Sequence, residues 1–131
     1  MKRAKLIIII LFTSIVCNAQ KYYTRSGVTE FKASEKAFEP VEAINNSTTA
    51  IFNINTGEVV AQVFIASFEF KNALMQEHFN ENYMESTSYP KAVFKGKIDN
   101  FSKDKLKTIS EFDLVGTLTV RGKEKKYQQK L

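Results

Sequence analysis

The sequence predicts an all-β domain of antiparallel strands with one short helical crossover, built as an up-and-down barrel or a sandwich. Three observations lead there. Short stretches of alternating apolar and polar residues recur along the chain, the period-2 pattern of half-buried strands. Turn chemistry such as Asn55-Thr56-Gly57 and Arg121-Gly122 separates them. One segment, KNALMQEHFN at 71–80, departs from the alternation and is rich in helix formers.

Taken in order, residues 22–34 read as one or two strands broken at Gly27. The stretch TAIFNIN at 49–55 puts Ala50, Phe52 and Ile54 on one face. NTGE follows as a turn in which Gly57 is free to take positive φ. VVAQVFIASFEF at 59–70 is apolar on both parities: Val60, Phe64, Ala66, Phe68 and Phe70 on one, with Gln62 the exception, and Val59, Ala61, Val63 and Ile65 on the other. Such a strand should be covered on both sides. In 71–80, Leu74 and His78 are one helical turn apart, as are Met75 and Phe79. Residues 92–98 place Ala92, Phe94, Gly96 and Ile98 opposite Lys95 and Lys97. Lys103, Lys105 and Lys107 around Asp104 read as a solvated loop. EFDLVGTLTV at 111–120 is the cleanest strand, with Phe112, Leu114, Gly116, Leu118 and Val120 on one side. Arg121-Gly122-Lys123 turns the chain into a last strand over 125–131.

The first residues address compartment. Lys2, Arg3 and Lys5 precede an apolar run over 6–16, and Cys17-Asn18-Ala19 is a small-x-small cleavage signal before Gln20. This is the pattern of a secretory signal peptide over 1–19, removed to leave a single domain over 20–131. Eleven helical residues span about 16 Å, against a hydrocarbon core of about 30 Å, so stable membrane insertion is not expected. Without the leader the charge falls from +5 to 16 basic against 14 acidic residues, or +2. That balance does not call for nucleic acid. The one cysteine leaves with the leader, so disulfides, a thiol nucleophile and a thiolate metal site are not expected.

The chemistry of catalysis is sought without result. His78 is the single histidine, whereas metal sites usually converge more than one His or Cys. It is expected to bond a loop backbone or a carboxylate and tie the helix to the barrel. No nucleophile motif surrounds a serine, and no glycine-rich phosphate loop is present. The protein is therefore expected to be no enzyme and to need no cofactor. In HFNENYMESTSYPKAVFKGKI, 78–98, Pro90 fixes φ and extends Tyr89. The stretch reads as a corner at the mouth of a barrel that starts the strand carrying Phe94 and Ile98.

The order of these elements resembles the YceI-like family, also called polyisoprenoid-binding-like, in the form found in Bacteroidetes-type bacteria. The resemblance rests on His78 in the helical segment, Tyr89-Pro90, Phe94, then Gly116, Leu118, Thr119 and Gly122. It implies an exported, periplasmic or secreted, lipocalin-like β-barrel holding a long isoprenoid or quinone-like lipid in an apolar tunnel. Strand parity and the resemblance together nominate Phe52, Ile54, Phe64, Phe68, Phe94, Ile98, Leu114 and Leu118 as its lining. The same alternation also fits a barrel with a filled core and no ligand that presents its loops to a protein partner. Two departures stand out. The family's turn carries His-Gly-apolar where this chain has Arg121-Gly122-Lys123. Family members also continue for several strands past this turn, which implies a barrel lacking its closing strands, with open edges prone to self-association.

Overall fold

The computed structural model describes residues 20–33, 41–108 and 111–131; the expected leader at 1–19 lies outside them. Within them the chain forms β1 (Lys21–Ala33), β2 (Val41–Asn53), β3 (Glu58–Phe64), β4 (Glu69–Phe70), α1 (Ala73–His78), β5 (Lys91–Ile98), β6 (Asp113–Val120) and β7 (Lys123–Lys130). All pairings are antiparallel, in the order β1-β2-β3-β5-β6-β7, with β4 on β2. Apart from the two-residue β4, each strand pairs with the next one along the chain, so the up-and-down arrangement holds. Among the described residues the sheet is open, with β1 and β7 at its edges.

Local chemistry sets the corners. After β2, the Asn53 side-chain oxygen accepts from the amides of Asn55 and Thr56. Gly57 then takes φ +79°. Between β6 and β7, Arg121 and Gly122 both have positive φ, 49° and 71°, as a type I′ hairpin turn requires. The expected helix is present and compound. Asn72 caps α1, accepting from the amides of Leu74 and Met75. A π-helical turn over Phe79–Tyr83 continues it.

Two long strands and one interruption depart from the sequence reading. β1 runs continuously through Gly27, and β2 begins at Val41 rather than near Thr49. Register shifts on either side of Gly27 bend this ribbon. At the second shift, Gly27 pairs with Thr48 and Thr29 with Asn45, so Asn46 and Ser47 together oppose Val28. Asn45 supports this bulge from a fully buried position. Its Oδ1 accepts from the Ser47 amide (2.9 Å) and hydroxyl (3.2 Å), and its Nδ2 donates to the Phe64 carbonyl (3.1 Å).

The expected strand over 59–70 is not continuous. β3 stops at Phe64, a 3-10 turn occupies Ile65–Ser67, and β4 resumes on β2. The Pro90 carbonyl accepts from the Ile65 amide at 2.9 Å and pins that turn. The break shifts the side-chain phase. Ile65 and Phe68 turn into the core with Ala43 and Ala92, while Val60 and Phe64 remain exposed. The expectation that both faces of this strand are covered is thus corrected: one face is open. Val63, Phe70, Phe79, Met84 and Val120 complete the core. It lies at the end of the sheet that α1 and the π-helical turn cover.

Candidate ligand-binding face

Directly paired residues of an antiparallel sheet project from the same face, so the register sorts every strand residue. One face carries the row Phe52, Val59, Gly96, Gly116. Next to it runs the row Ala50, Ala61, Phe94, Leu118. Ile98 pairs with Leu114, and Val63 with Ala92, on the same side. We term this the inner face, because Ala43 and Ala92 of the core belong to it.

The middle of the inner face is shaped by a cross-strand glycine pair, Gly96 and Gly116. The Phe94 ring lies across both. A Cβ added at Gly116 would sit 2.6 Å from Phe94 Cζ and 2.5 Å from the Lys95 carbonyl oxygen; one at Gly96 would sit 2.7 Å from the ring. Bare backbone there lets the ring lie flat against the wall. Aromatic clusters flank this region. Toward α1, Phe79 contacts Phe31, Phe68 and Phe70 at centroid distances of 5.9, 5.9 and 4.8 Å. At the other end, Phe52 meets Phe101 edge-on at 5.5 Å, and Phe101 lies 6.2 Å from Phe112.

Of the eight nominated residues, register brings together five: Phe52, Phe94, Ile98, Leu114 and Leu118. All five are half-buried, an apolar wall rather than an enclosed tunnel. Ile54 lies just past the end of β2, its amide bonded to the Gln20 carbonyl. Phe68 is buried in the core beneath the helical segment. Phe64 is corrected outright: it pairs with Lys91, on the opposite face. The inner residues of β3 are Val59, Ala61 and Val63. Gln62 was the available signal, since a polar residue in an otherwise apolar parity marks the side that meets water. The glycine pair and Asn45 were also missed.

The rim nearest α1 is held by polar contacts. Arg121 donates to Glu85 Oε2 from Nη2 (3.1 Å) and Nε (3.3 Å), and from Nη1 to the Tyr83 carbonyl (2.9 Å). The Tyr89 ring packs beside Gly122, where an added Cβ would sit 2.9 Å from its Cε1. The corner expected at Tyr89-Pro90 is therefore tied to the β6–β7 hairpin. His78 does less than expected: it is exposed, and its Nδ1 meets the Asn82 amide nitrogen at 2.8 Å, one turn along the same segment. Both side chains of the Arg121–Glu85 pair are nearly half exposed, so the pair is worth about 0.5–1 kcal/mol. Arg121→Asn, which tolerates the left-handed backbone, should lower the unfolding free energy from urea titration by that amount in dilute buffer, with a lower midpoint, and by less at high salt. An unchanged midpoint in dilute buffer would show that the pair holds nothing.

Among the described residues no group of three or more His, Cys, Asp or Glu side chains converges, and no helix is long and apolar enough to cross a membrane. A cleft of about 410 Å³ lies by the β2 bulge and the 3-10 turn, lined by Asn46, Ser47, Ala66, Ser67, Glu69 and Gln76. None of the nominated residues lines it.

The family model described as YceI-like domain matches residues 21–131, nearly the whole of the described chain. The protein belongs to the YceI-like family. The fold agrees with a polyisoprenoid binding domain from Saccharophagus degradans implicated in plant cell wall breakdown, with TM-score 0.69 at 12% identity. That match covers 87% of this chain and 67% of the other. A YceI protein of Campylobacter jejuni matches at TM-score 0.48 and 14% identity, over 88% of this chain and 55% of that one. The chain thus spans about two thirds of the first relative and little over half of the second. No curated protein matches it. For this YceI-like domain the all-β, lipocalin-like fold implied by the sequence is the fold observed.

Proposed function

We propose that the protein is an exported, non-enzymatic carrier that holds a long apolar lipid, of polyisoprenoid or quinone-like type, against the inner face. The observation that carries this reading is the continuous row structure of Phe52, Val59, Phe94, Ile98, Leu114 and Leu118 around the flat-lying Phe94 ring. An apolar wall of this kind, with few charges, suits a chain of methylenes. From Ala92 to Ile98 the wall extends about 20 Å along β5 at the ordinary strand rise. Family membership supports the ligand class, and the leader-like residues 1–19 support a periplasmic or secreted location.

Native mass spectrometry and solvent extraction of the purified protein test the reading. A co-purifying lipid, lost in Leu118→Lys with circular dichroism unchanged, is the expected result. Protein that is empty when isolated from a lipid-rich envelope, and that takes up no polyprenol afterwards, would favour a module that presents its loops to a protein partner. Mass analysis should place the mature N-terminus at Gln20; an intact leader would contradict export by cleavage.

A further inference from the structure

The opposite face of the sheet carries a second apolar surface, and this one is set among cations. Tyr23, Ile51 and Val60 lie side by side on β1, β2 and β3, and the row continues through Lys95 and Thr117 to Lys126. Their exposures are 73% for Tyr23, 43% for Ile51 and 39% for Val60. Phe64 (46%) pairs with Lys91, and Val115 (42%) pairs with Lys97. The Lys91 ammonium lies 5.2 Å from the Phe64 ring centroid. Among the described residues, Lys91, Lys95, Lys97 and Lys126 make no ion pair with a carboxylate. Glu58, paired with Lys97, is the acid within the patch, and Asp113, Glu124 and Lys130 lie at its margin.

We infer that this outer face docks on an anionic phospholipid surface. The lysines stand beside the apolar row with ammonium groups that no carboxylate of the described residues neutralises, and lysine is a residue that can rest its stem on apolar surface while its charge stays in water. Tyr23, half apolar and half polar, is the residue type that settles at headgroup depth. A second copy of the chain would set these lysines against their own kind, and a phosphate backbone would make no use of Ile51, Val60 and Val115. A bilayer with negative headgroups answers both features at once. The inference does not depend on what the inner face holds, since a protein with an empty interior would dock the same way.

Co-sedimentation with vesicles tests it. The purified protein is mixed with vesicles of phosphatidylcholine alone or with a substantial fraction of phosphatidylglycerol, in dilute and in concentrated salt. Binding should appear with phosphatidylglycerol in dilute salt and fall steeply as salt rises. At about fivefold per lysine, the variant Lys91→Gln/Lys95→Gln/Lys97→Gln should partition about a hundredfold more weakly. Lys126→Gln, on the edge strand, should lose about fivefold and serves if the triple variant misfolds. Ile51→Ser/Val60→Ser should also weaken binding. All variants share one N-terminus, so the differences report this face. Equal binding to both vesicle types, or unchanged binding in the lysine variants, would overturn the inference. So would a dimer in sedimentation velocity that Val60→Lys abolishes, which would assign the face to a second copy.

Discussion

Gly116→Ala should lower stability by about 3 kcal/mol, the upper part of the range for overpacked interiors. For a domain of this size that is a fall in Tm of about 12 °C or more. The added methyl would meet the Lys95 carbonyl oxygen at 2.5 Å, the Phe94 ring at 2.6 Å and the Gly96 Cα at 2.7 Å. Two of those three contacts are backbone, which cannot step aside without shifting β5 against β6. The Phe94 share can be isolated. Combining Gly116→Ala with Phe94→Leu should recover part of the loss, as a coupling energy between contacting residues. Thermal melts of the four proteins in the cycle measure it. A Gly116→Ala protein melting within about 2 °C of wild type would show that the ring does not press on the glycine pair.

Asn45→Leu should be comparably damaging for a different reason. Asn45 is fully buried and supplies three hydrogen bonds: to the bulge at Ser47, twice, and to the Phe64 carbonyl where β3 ends. Leucine is similar in volume but leaves these groups without partners, at about 1–3 kcal/mol for each buried orphan. A loss of about 3 kcal/mol in a urea titration is expected, since some groups will find water. Asn45→Asp adds a pH signature. A buried carboxylate facing the Phe64 carbonyl favours its protonated form, so its folded pKa rises above the unfolded value of about 3.9. The folded state then binds more protons, and the variant should lose stability as pH rises above about 4, relative to wild type. A parallel pH profile for the two proteins would show that residue 45 meets water.

Much of the fold was legible because local and global signals agreed. β5 and β6 alternate cleanly between apolar and polar residues, and the Gly57 and Gly122 turns sit where left-handed backbone is needed. The helix formers of 71–80 and the one-turn spacings of Leu74 with His78 and Met75 with Phe79 marked the helical segment. The failures share a cause. In VVAQVFIASFEF both parities are apolar, so alternation could not choose a face, and the 3-10 turn that resets the phase depends on a contact with Pro90, 25 residues away. The early half of β2, with Asn45, Asn46, Ser47 and Thr48, shows no apolar alternation to mark it as strand; its polar residues are held by a bulge, by the Phe64 carbonyl and by a Thr29–Thr48 hydroxyl contact of 2.7 Å. Strand faces were legible where strands were simple: parity put Phe94, Leu114 and Leu118 on one face, as the register does, and put Phe64 on the wrong side. The bonds of Arg121 to Glu85 and the Tyr83 carbonyl join segments whose proximity only the fold creates.

The central claim is that the inner face holds its ligand by apolar burial, and chain length tests that most directly. Each methylene buried yields about 0.8 kcal/mol, so ten carbons give roughly 8 kcal/mol. Association itself costs about 4–15 kcal/mol, so a short chain scarcely binds and several isoprene units are needed. The measurement is a titration with isoprenoid alcohols of increasing length, delivered from cyclodextrin without vesicles. Affinity should climb with each added unit until the wall is covered, and should change little with ionic strength, because screening acts on charges. Phe94→Asp should abolish it at every length. Flat affinity across the series, or binding that vanishes in moderate salt, would contradict the account.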